Sequence, residues 1–403
     1  MAIKFRSNLI AGSTLSVPDL VNLAKTDGKR FAELVQDSAG AGTLKLSDLH
    51  DIRGIFGALK AVQVPVTNLD PGGESRAIMA SAFPVLVGST MVAEVNAAYD
   101  SIPAISDQLV REIEDNKKVT TVVNVHALDN QVDEVKDIDK FPEIGASEET
   151  FQIGNRLNGR KFTIHQDAID ENDIANIVLR ANAIGEFAAW AKEDLTLRRI
   201  YDFTGSKSSP AAPYVYKPAG TGTALYSATA NTPGTRVPLG NEIQSNALVD
   251  ETDLDAARIR LANSRDANGR RISIPWSRVK LLVPTALLGT ALKLANSEMV
   301  PGVANEVNLY GPTGQFSLRD KIVSSPMLDN LSAGCWFLGW FDRQFIRKVK
   351  LNMEYITLGT NTQAYLDSRI AFQARLAWDF EVGAVDYVYV VRNLAATTAP
   401  GDE

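Results

Sequence analysis

Val119-Thr120-Thr121-Val122-Val123-Asn124-Val125 opens the stretch whose reading decides the fold. Its β-branched residues suit an extended strand. An acidic middle follows, with Asp129, Asp133, Glu134, Asp137, Asp139, Glu143, Glu148 and Glu149 set against Lys136 and Lys140. Lys161-Phe162-Thr163-Ile164-His165 then alternates polar and apolar residues and predicts a second arm. The stretch closes on the longest helical pattern in the chain, Ile174 to Tyr201, with Ile174, Ile177, Val178, Ala181, Ile184, Ala188 and Ala191 in one stripe. Asp170, Asn172 and Asp173 precede it and Lys192, Arg198 and Arg199 lie toward its end, both in keeping with the helix dipole. Such a helix is roughly 40 Å long. A two-armed loop feeding a spine is the build of a subunit that grips a neighbour rather than of an enzyme pocket. The acidic middle reads either as a solvated loop face or as a charged tip that docks on a basic surface.

Outward from this stretch, residues 1–76 read as an appendage. Ser16-Val17-Pro18-Asp19 resembles a helix start, followed by Leu20, Leu23, Ala24, Phe31 and Leu34. Lys45 to Lys60 predicts a second short helix with Leu46, Leu49, Ile52, Ile55 and Leu59 on one side. Pro65 and Asp70-Pro71-Gly72-Gly73 mark a linker. Residues 77–118 predict an extended arm with a short helix, stopped near Pro103.

Downstream, Thr204 to Val249 is a long polar excursion, the kind that is functional or meets another chain. Asp250-Glu251-Thr252-Asp253 starts a helix carrying Leu254, Ala257, Ile259 and Leu261. Asp266 to Gly269 is a turn, and Val279 to Val283 a buried strand. Pro284 opens a helix with Leu287, Leu288, Ala291, Leu292 and Ala295 on its apolar face. Lys321-Ile322-Val323 and Cys335-Trp336-Phe337-Leu338-Gly339 predict two more strands. Arg369 to Trp378 alternates as a half-buried strand, with Asp379 to Gly383 as a turn and Ala384 to Val391 as its partner.

With 403 residues, 45% hydrophobic and 22% charged, the chain has the composition of a folded protein of several domains. A net charge of −7 argues against tight non-specific nucleic-acid binding. One cysteine, Cys335, excludes an intrachain disulfide and suits a reducing cytoplasm. No signal peptide is expected, and no apolar run reaches the roughly 18 residues of a membrane span. Catalytic signals fail in turn. His50, His126 and His165 show no metal-ligand spacing. Gly205-Ser206-Lys207-Ser208 lacks the upstream glycine and the strand-to-helix setting of a phosphate loop. Asp266-Ala267-Asn268-Gly269 is too short for a calcium loop. No catalytic, cofactor-binding or metal-binding residues are assigned.

In their order, several pieces resemble the major capsid protein of tailed bacteriophages, most nearly Mu-like prophage head subunits, a fold shared with encapsulins. Tyr99-Asp100-Ser101-Ile102-Pro103 is similar to the end of the family's N-terminal arm. Lys161 to Asp173 is similar to the step from its E-loop into the spine helix. Ala224-Leu225-Tyr226-Ser227, Asn241 and Asp266 to Arg270 resemble the stretch after the spine. Leu281-Leu282-Val283-Pro284, Lys321 to Pro326 and Cys335 to Leu338 resemble A-domain elements. Leu366-Asp367-Ser368-Arg369 through Tyr387 resembles the closing P-domain strands.

This resemblance implies an α+β chain in seven parts. They are an N-terminal extension (1–76), an N-arm (77–118), a β-hairpin E-loop (119–170) and a P-domain spine with its loop excursion (171–250). An A-domain (251–340), P-domain strands (341–395) and a flexible tail (396–403) follow. It further implies a non-enzymatic subunit that assembles with itself as hexamers and pentamers into an icosahedral shell around double-stranded DNA. Expected partners are a portal protein and scaffold, protease or decoration proteins, with no membrane and no cofactor. The location would be the virion capsid, assembled in the host bacterial cytoplasm. Encapsulin-type shells, which carry cargo instead of a genome, are the alternative, and an enzyme of unknown type the more distant one. The acidic Asp133, Glu134, Asp137, Asp139 and Glu143 are expected to meet Arg343, Arg347, Lys348 and Lys350 of a neighbouring subunit. Nothing distinguishes Lys136, Lys140 or Lys161 as a cross-linking lysine. Boiled shells should therefore run as subunit-sized bands in denaturing gels, and ladders would refute this.

Overall fold

Cys335-Trp336-Phe337-Leu338 shows why this chain folds as it does: an all-apolar strand needs cover on both faces. The computed structural model describes residues 95–102, 104–127, 146–154, 157–165, 174–202, 224–229, 236–266, 269–301, 306–358 and 370–395. In chain order the elements begin with β1 (Arg111–Glu114), β2 (Val119–Ala127), β3 (Ala146–Gly154), β4 (Leu157–His165), α1 (Ile174–Tyr201), β5 (Glu242–Ile243), α2 (Glu251–Ala262) and β6 (Lys280–Val283). They continue with α3 (Thr285–Asn296), β7 (Ile322–Ser324), α4 (Pro326–Asp329), β8 (Trp336–Gly339), α5 (Phe341–Gln344), β9 (Phe345–Leu358), β10 (Ile370–Ala384) and β11 (Val390–Asn393). The N-terminal helix patterns at 16–60, the acidic residues 128–145 and most of the 204–235 excursion lie outside the described residues.

The chain divides into two units, Met1–Pro103 with Leu157–Ala191 and Leu351–Asp379, and Ala104–Arg156 with Lys192–Lys350 and Phe380–Glu403. In the first, β4 pairs antiparallel with β10, Lys161 opposite Arg375 and Asn158 opposite Trp378. Phe187 of α1 packs on Trp378 at 6.4 Å between centroids, and the Arg160 guanidinium lies 4.6 Å from the Phe187 ring. The helical residues 95–101 cross α1 at Gly185, where a Cβ would strike the Val95 carbonyl and sit 2.8 Å from the Ala98 methyl.

In the second unit, the five-stranded sheet runs β5-β11-β8-β6-β7. Its strands alternate between two cores. Phe337, Leu282, Val323 and Val390 join a core with Leu197, Ile200 and Tyr201 of α1. Trp336, Leu338, Leu281, Val283 and Val391 join a core under α2 and α3. Asp250 and Asp253 form a capping box at the start of α2. Pro284 precedes α3, and the Asp329 carboxylate of α4 accepts the Thr285 and Ala286 N–H groups at 3.0 and 3.3 Å. A cap lent from elsewhere in the chain fixes where that helix begins. Ile259 and Leu292, expected inside, are exposed; Leu294 fills the α3 core position instead.

Two expectations are corrected. The partner of β2 is β3, from Val119 opposite Gly154 to Ala127 opposite Ala146, and not Lys161–His165, which lies in β4. A two-stranded ribbon is held chiefly by its backbone ladder, and the sequence of β3 carries little of the apolar alternation that reveals a core strand. Nor does the chain turn at Asp379–Gly383. β10 continues to Ala384, and β11 belongs to the other sheet. Glu381, read as turn-forming, ion-pairs with Arg199 of α1 at 3.0 Å. At Gly383 a Cβ would come 2.7 Å from the Ile153 side chain, which would have to shift to admit it.

Two buried cations brace the second unit. Arg236 donates two hydrogen bonds to the Asp386 carboxylate, at 3.0 and 2.8 Å, with the side chains 6% and 1% exposed. Arg392 pairs with Glu242 and lies 4.7 Å from the Tyr226 ring centroid. Removing one member of a buried pair strands the other. Asp386→Ala should therefore cost about 3–5 kcal/mol in urea unfolding, and the double variant Arg236→Met/Asp386→Leu clearly less.

Candidate functional site at the root of the hairpin

A hairpin that reaches away from its core must be held at its base. Here the anchor is built largely from polar groups. The turn at Ile105–Gln108 and strand β1 lead into β2. β1 lies parallel to β9, with Glu112 opposite Arg347. Arg347, 1% exposed, is the centre of the anchor. Its Nη2 donates to Ser106 Oγ at 2.8 Å and to Thr196 Oγ1 of α1 at 2.9 Å. Its Nη1 pairs with Asp107 and lies 3.5 Å from a Glu112 oxygen. Lys192 of α1 holds the same Asp107 at 3.0 Å.

Beside it, the buried Glu193 carboxylate accepts the Ser106 N–H at 3.1 Å and the Ser325 hydroxyl at 3.0 Å. Turn, spine helix, β9 and the start of α4 thus meet through one set of hydrogen bonds. Further along, the Asp115 N–H donates to the Val349 carbonyl at 3.0 Å, and the Asp115 carboxylate accepts from Thr120 and Lys117. Lys348 donates to the Lys117 carbonyl. The other strand is fastened by Ile153, which packs with Ile346 and Val385 and against Ile113 and Val122.

These contacts relocate the residues expected to join neighbouring subunits. Arg347 and Lys348 are each 1% exposed, and the Arg347 terminal nitrogens and the Lys348 ammonium bond inside their own chain, so neither side chain is available to an acidic arm. β9 has cover on both faces here, which the run of alternating cations in Arg347-Lys348-Val349-Lys350 concealed. Arg343 and Lys350 are exposed, with the Arg343 guanidinium 5.7 Å from the Tyr389 ring centroid. Asp133, Glu134, Asp137, Asp139 and Glu143 lie outside the described residues. Sequence reasoning missed Asp107, Glu193 and Thr196. One signal was present: Glu193 lies four residues before Leu197 and seven before Ile200, which are buried, so helical spacing puts a carboxylate on the inward face.

Chemically, the arrangement positions and braces. Among the described residues, no group of three or more His, Cys, Asp or Glu side chains is placed to hold a metal ion. Burial pushes the Cys335 thiol far above its ordinary range, so it stays protonated within the sheet. No helix among the described residues is long and apolar enough to cross a membrane.

The site is thus an arm rooted in a two-core body and braced there by buried polar groups. The family model described as phage capsid protein matches residues 156–393, more than half of the chain. The chain belongs to that family: it is a phage capsid protein of mixed helix and strand, and its place is the virion capsid. Similar solved structures include Mycobacterium phage Patience, at 14% identity and TM-score 0.42, covering 84% of this chain and 96% of that one. The mature capsid of bacteriophage PhiM1 aligns at 11% identity and TM-score 0.42, covering 73% and 87%. A virus-like particle from Pyrococcus furiosus aligns at 9% and 0.41, covering 75% and 97%. All three TM-scores fall below 0.5, and the assignment rests on the family match. No curated protein matches the chain by sequence.

Asp107 gives the anchor a pH dependence. Burial works against its charge, but the hydrogen bond and charge of Arg347, with those of Lys192, outweigh this and hold the carboxyl below its ordinary 3.8. A carboxyl depressed in the folded state stabilises above its unfolded pKa, and the contribution is lost as pH falls through the folded value. Stability measured by urea midpoint should therefore drop as pH falls below about 4, and Asp107→Asn should flatten that drop while lowering the midpoint at pH 7.

Proposed function

We propose that the chain assembles as hexamers and pentamers into an icosahedral shell that encloses packaged double-stranded DNA, without catalytic chemistry of its own. The observation that carries this reading is the β2–β3 hairpin: a ribbon anchored at its root by Arg347 and Ile153, whose connecting residues 128–145 hold Asp133, Glu134, Asp137, Asp139 and Glu143. A ribbon of this kind suits an arm laid over an adjacent subunit. Many modest contacts of that sort, summed around a closed shell, lock the assembly while each remains correctable.

Under this reading α1 and the β9–β10 strands are the peripheral domain, and residues 251–340 the axial domain. The acidic arm meets the exposed Arg343 and Lys350 of the neighbour. Net charge of −7 supports an interior that does not grip DNA moving in and out. The portal, scaffold, protease and decoration proteins of such particles are the expected partners, the host cytoplasm the place of assembly, and Mu-like heads the nearest kin.

Negative-stain microscopy of the expressed protein tests the reading. Shells or hexamer lattices are expected, and a featureless monomer would contradict it. Nuclease-resistant genomic DNA in particles from infected cells separates a head from an encapsulin-type compartment. Arg343→Glu/Lys350→Glu should abolish shells while leaving circular dichroism and thermal unfolding of the subunit unchanged. Normal assembly would rule out those two residues as the arm's receptor.

A further inference from the structure

The spine helix leaves part of its surface uncovered. Leu179 is 63% exposed and Trp190 46%, and Ala183 between them is exposed too. At spacings of four and seven residues they share one face of α1 and make an apolar stripe roughly 16 Å long. Glu186, half-buried, falls on the same stripe and has no ion-pair partner among the described residues. Isolated exposed apolar residues are ordinary, but a row of them on a long helix marks a contact.

Where the chain enters the described structure indicates what covers it. Val95 is fully buried, and residues 95–101 are seated on α1 at Gly185, midway along that helix segment. The chain therefore enters the described structure on the flank of the same helix. In the sequence before it, Lys45 to Lys60 carries Leu46, Leu49, Ile52, Ile55 and Leu59 on one side. Arg53, seven residues after Leu46 and four after Leu49, would lie at the edge of that side, where its long side chain can reach across to Glu186 at mid-stripe. The earlier stretch, from Leu20 to Leu34, is interrupted by Asp27-Gly28. As a helix, Lys45 to Lys60 would be roughly 24 Å long, enough to cover the stripe. The residues between Lys60 and Val95 can span on the order of 100 Å, so reach sets no limit. Gly54 and Gly57 weaken its helicity in isolation, which suits a segment that forms its helix on docking.

We infer that residues 45–60 dock in cis on the Leu179–Trp190 stripe of the spine helix, with Arg53 set against Glu186, so that the N-terminal extension forms part of its own subunit's surface. The inference does not depend on the shell reading.

Cysteine labelling of the full chain tests it. Cys335 is buried, so Leu179→Cys supplies the reactive thiol, and its side chain is exposed enough for the substitution to leave folding intact. A bulky hydrophilic maleimide should label Leu179→Cys slowly, and adding Ile52→Asp/Ile55→Asp should accelerate labelling about tenfold or more, as expected when a docked segment is released. Equal rates in the two backgrounds would overturn the inference. So would slow labelling that survives the aspartates, because another element then covers the stripe. So would slow labelling of the single variant that becomes fast on dilution, because the cover then comes from a second copy. In a second arm, Glu186→Arg should accelerate labelling and Arg53→Glu added to it should restore protection. Failure of that restoration would remove the Arg53–Glu186 pairing.

Discussion

A guanidinium sealed from water is costly unless its donors find acceptors, and the two terminal nitrogens of Arg347 find theirs by drawing four separate segments together, while its Nε has no partner among the described residues. Ser106 and Asp107 come from the turn before β1, Glu112 from β1, Thr196 from the spine helix, and Arg347 itself from β9. Ser106 lies 241 residues and Thr196 151 residues before Arg347, so the group can be satisfied only once distant parts of the chain have come together. Removing Asp107 or Ser106 would leave a buried charge short of acceptors, which costs far more than the loss of a surface pair. The base of the hairpin therefore inherits the rigidity of the core behind it.

The same logic recurs away from the root. Arg236 with Asp386 and Arg392 with Glu242 are cations inside an otherwise apolar sheet region, each paired and each close to an aromatic ring. Hydrophobic burial holds the two cores, since β8 gives Phe337 to one and Trp336 to the other. The ionic groups decide which strands meet: Arg236 ties the loop before β5 to Asp386 beyond β10. A shell subunit with this build keeps its strongest electrostatics inside. Weaker, separable contacts are left for its surface, where Arg343 and Lys350 are exposed.

Much of this was legible in the sequence, for physical reasons. The spine helix was readable from Ile174 to Tyr201 because its stripe is long and uninterrupted. β6, β7 and β8 were readable because a strand with both faces covered is apolar throughout. The β3 ribbon strand was not, because the sequence Ala146–Gly154 carries little apolar alternation. Glu381 imitated a turn residue because a carboxylate inside a strand looks the same whether solvent or the Arg199 guanidinium satisfies it. Arg347 and Lys348 imitated a surface patch for the same reason: composition shows charge, and only tertiary structure shows who neutralises it. The family itself was legible as an ordered series of weak resemblances, none specific by itself.

Hydrogen–deuterium exchange on Arg347→Met, beside the unaltered chain, tests most directly whether this one side chain fixes the base of the arm. The account predicts lost protection confined to the turn at Ile105–Gln108, to β1 and to the adjoining end of β2, with β6, β8 and β11 exchanging as before. Unchanged protection at β1, or loss spread evenly over both cores, would contradict it.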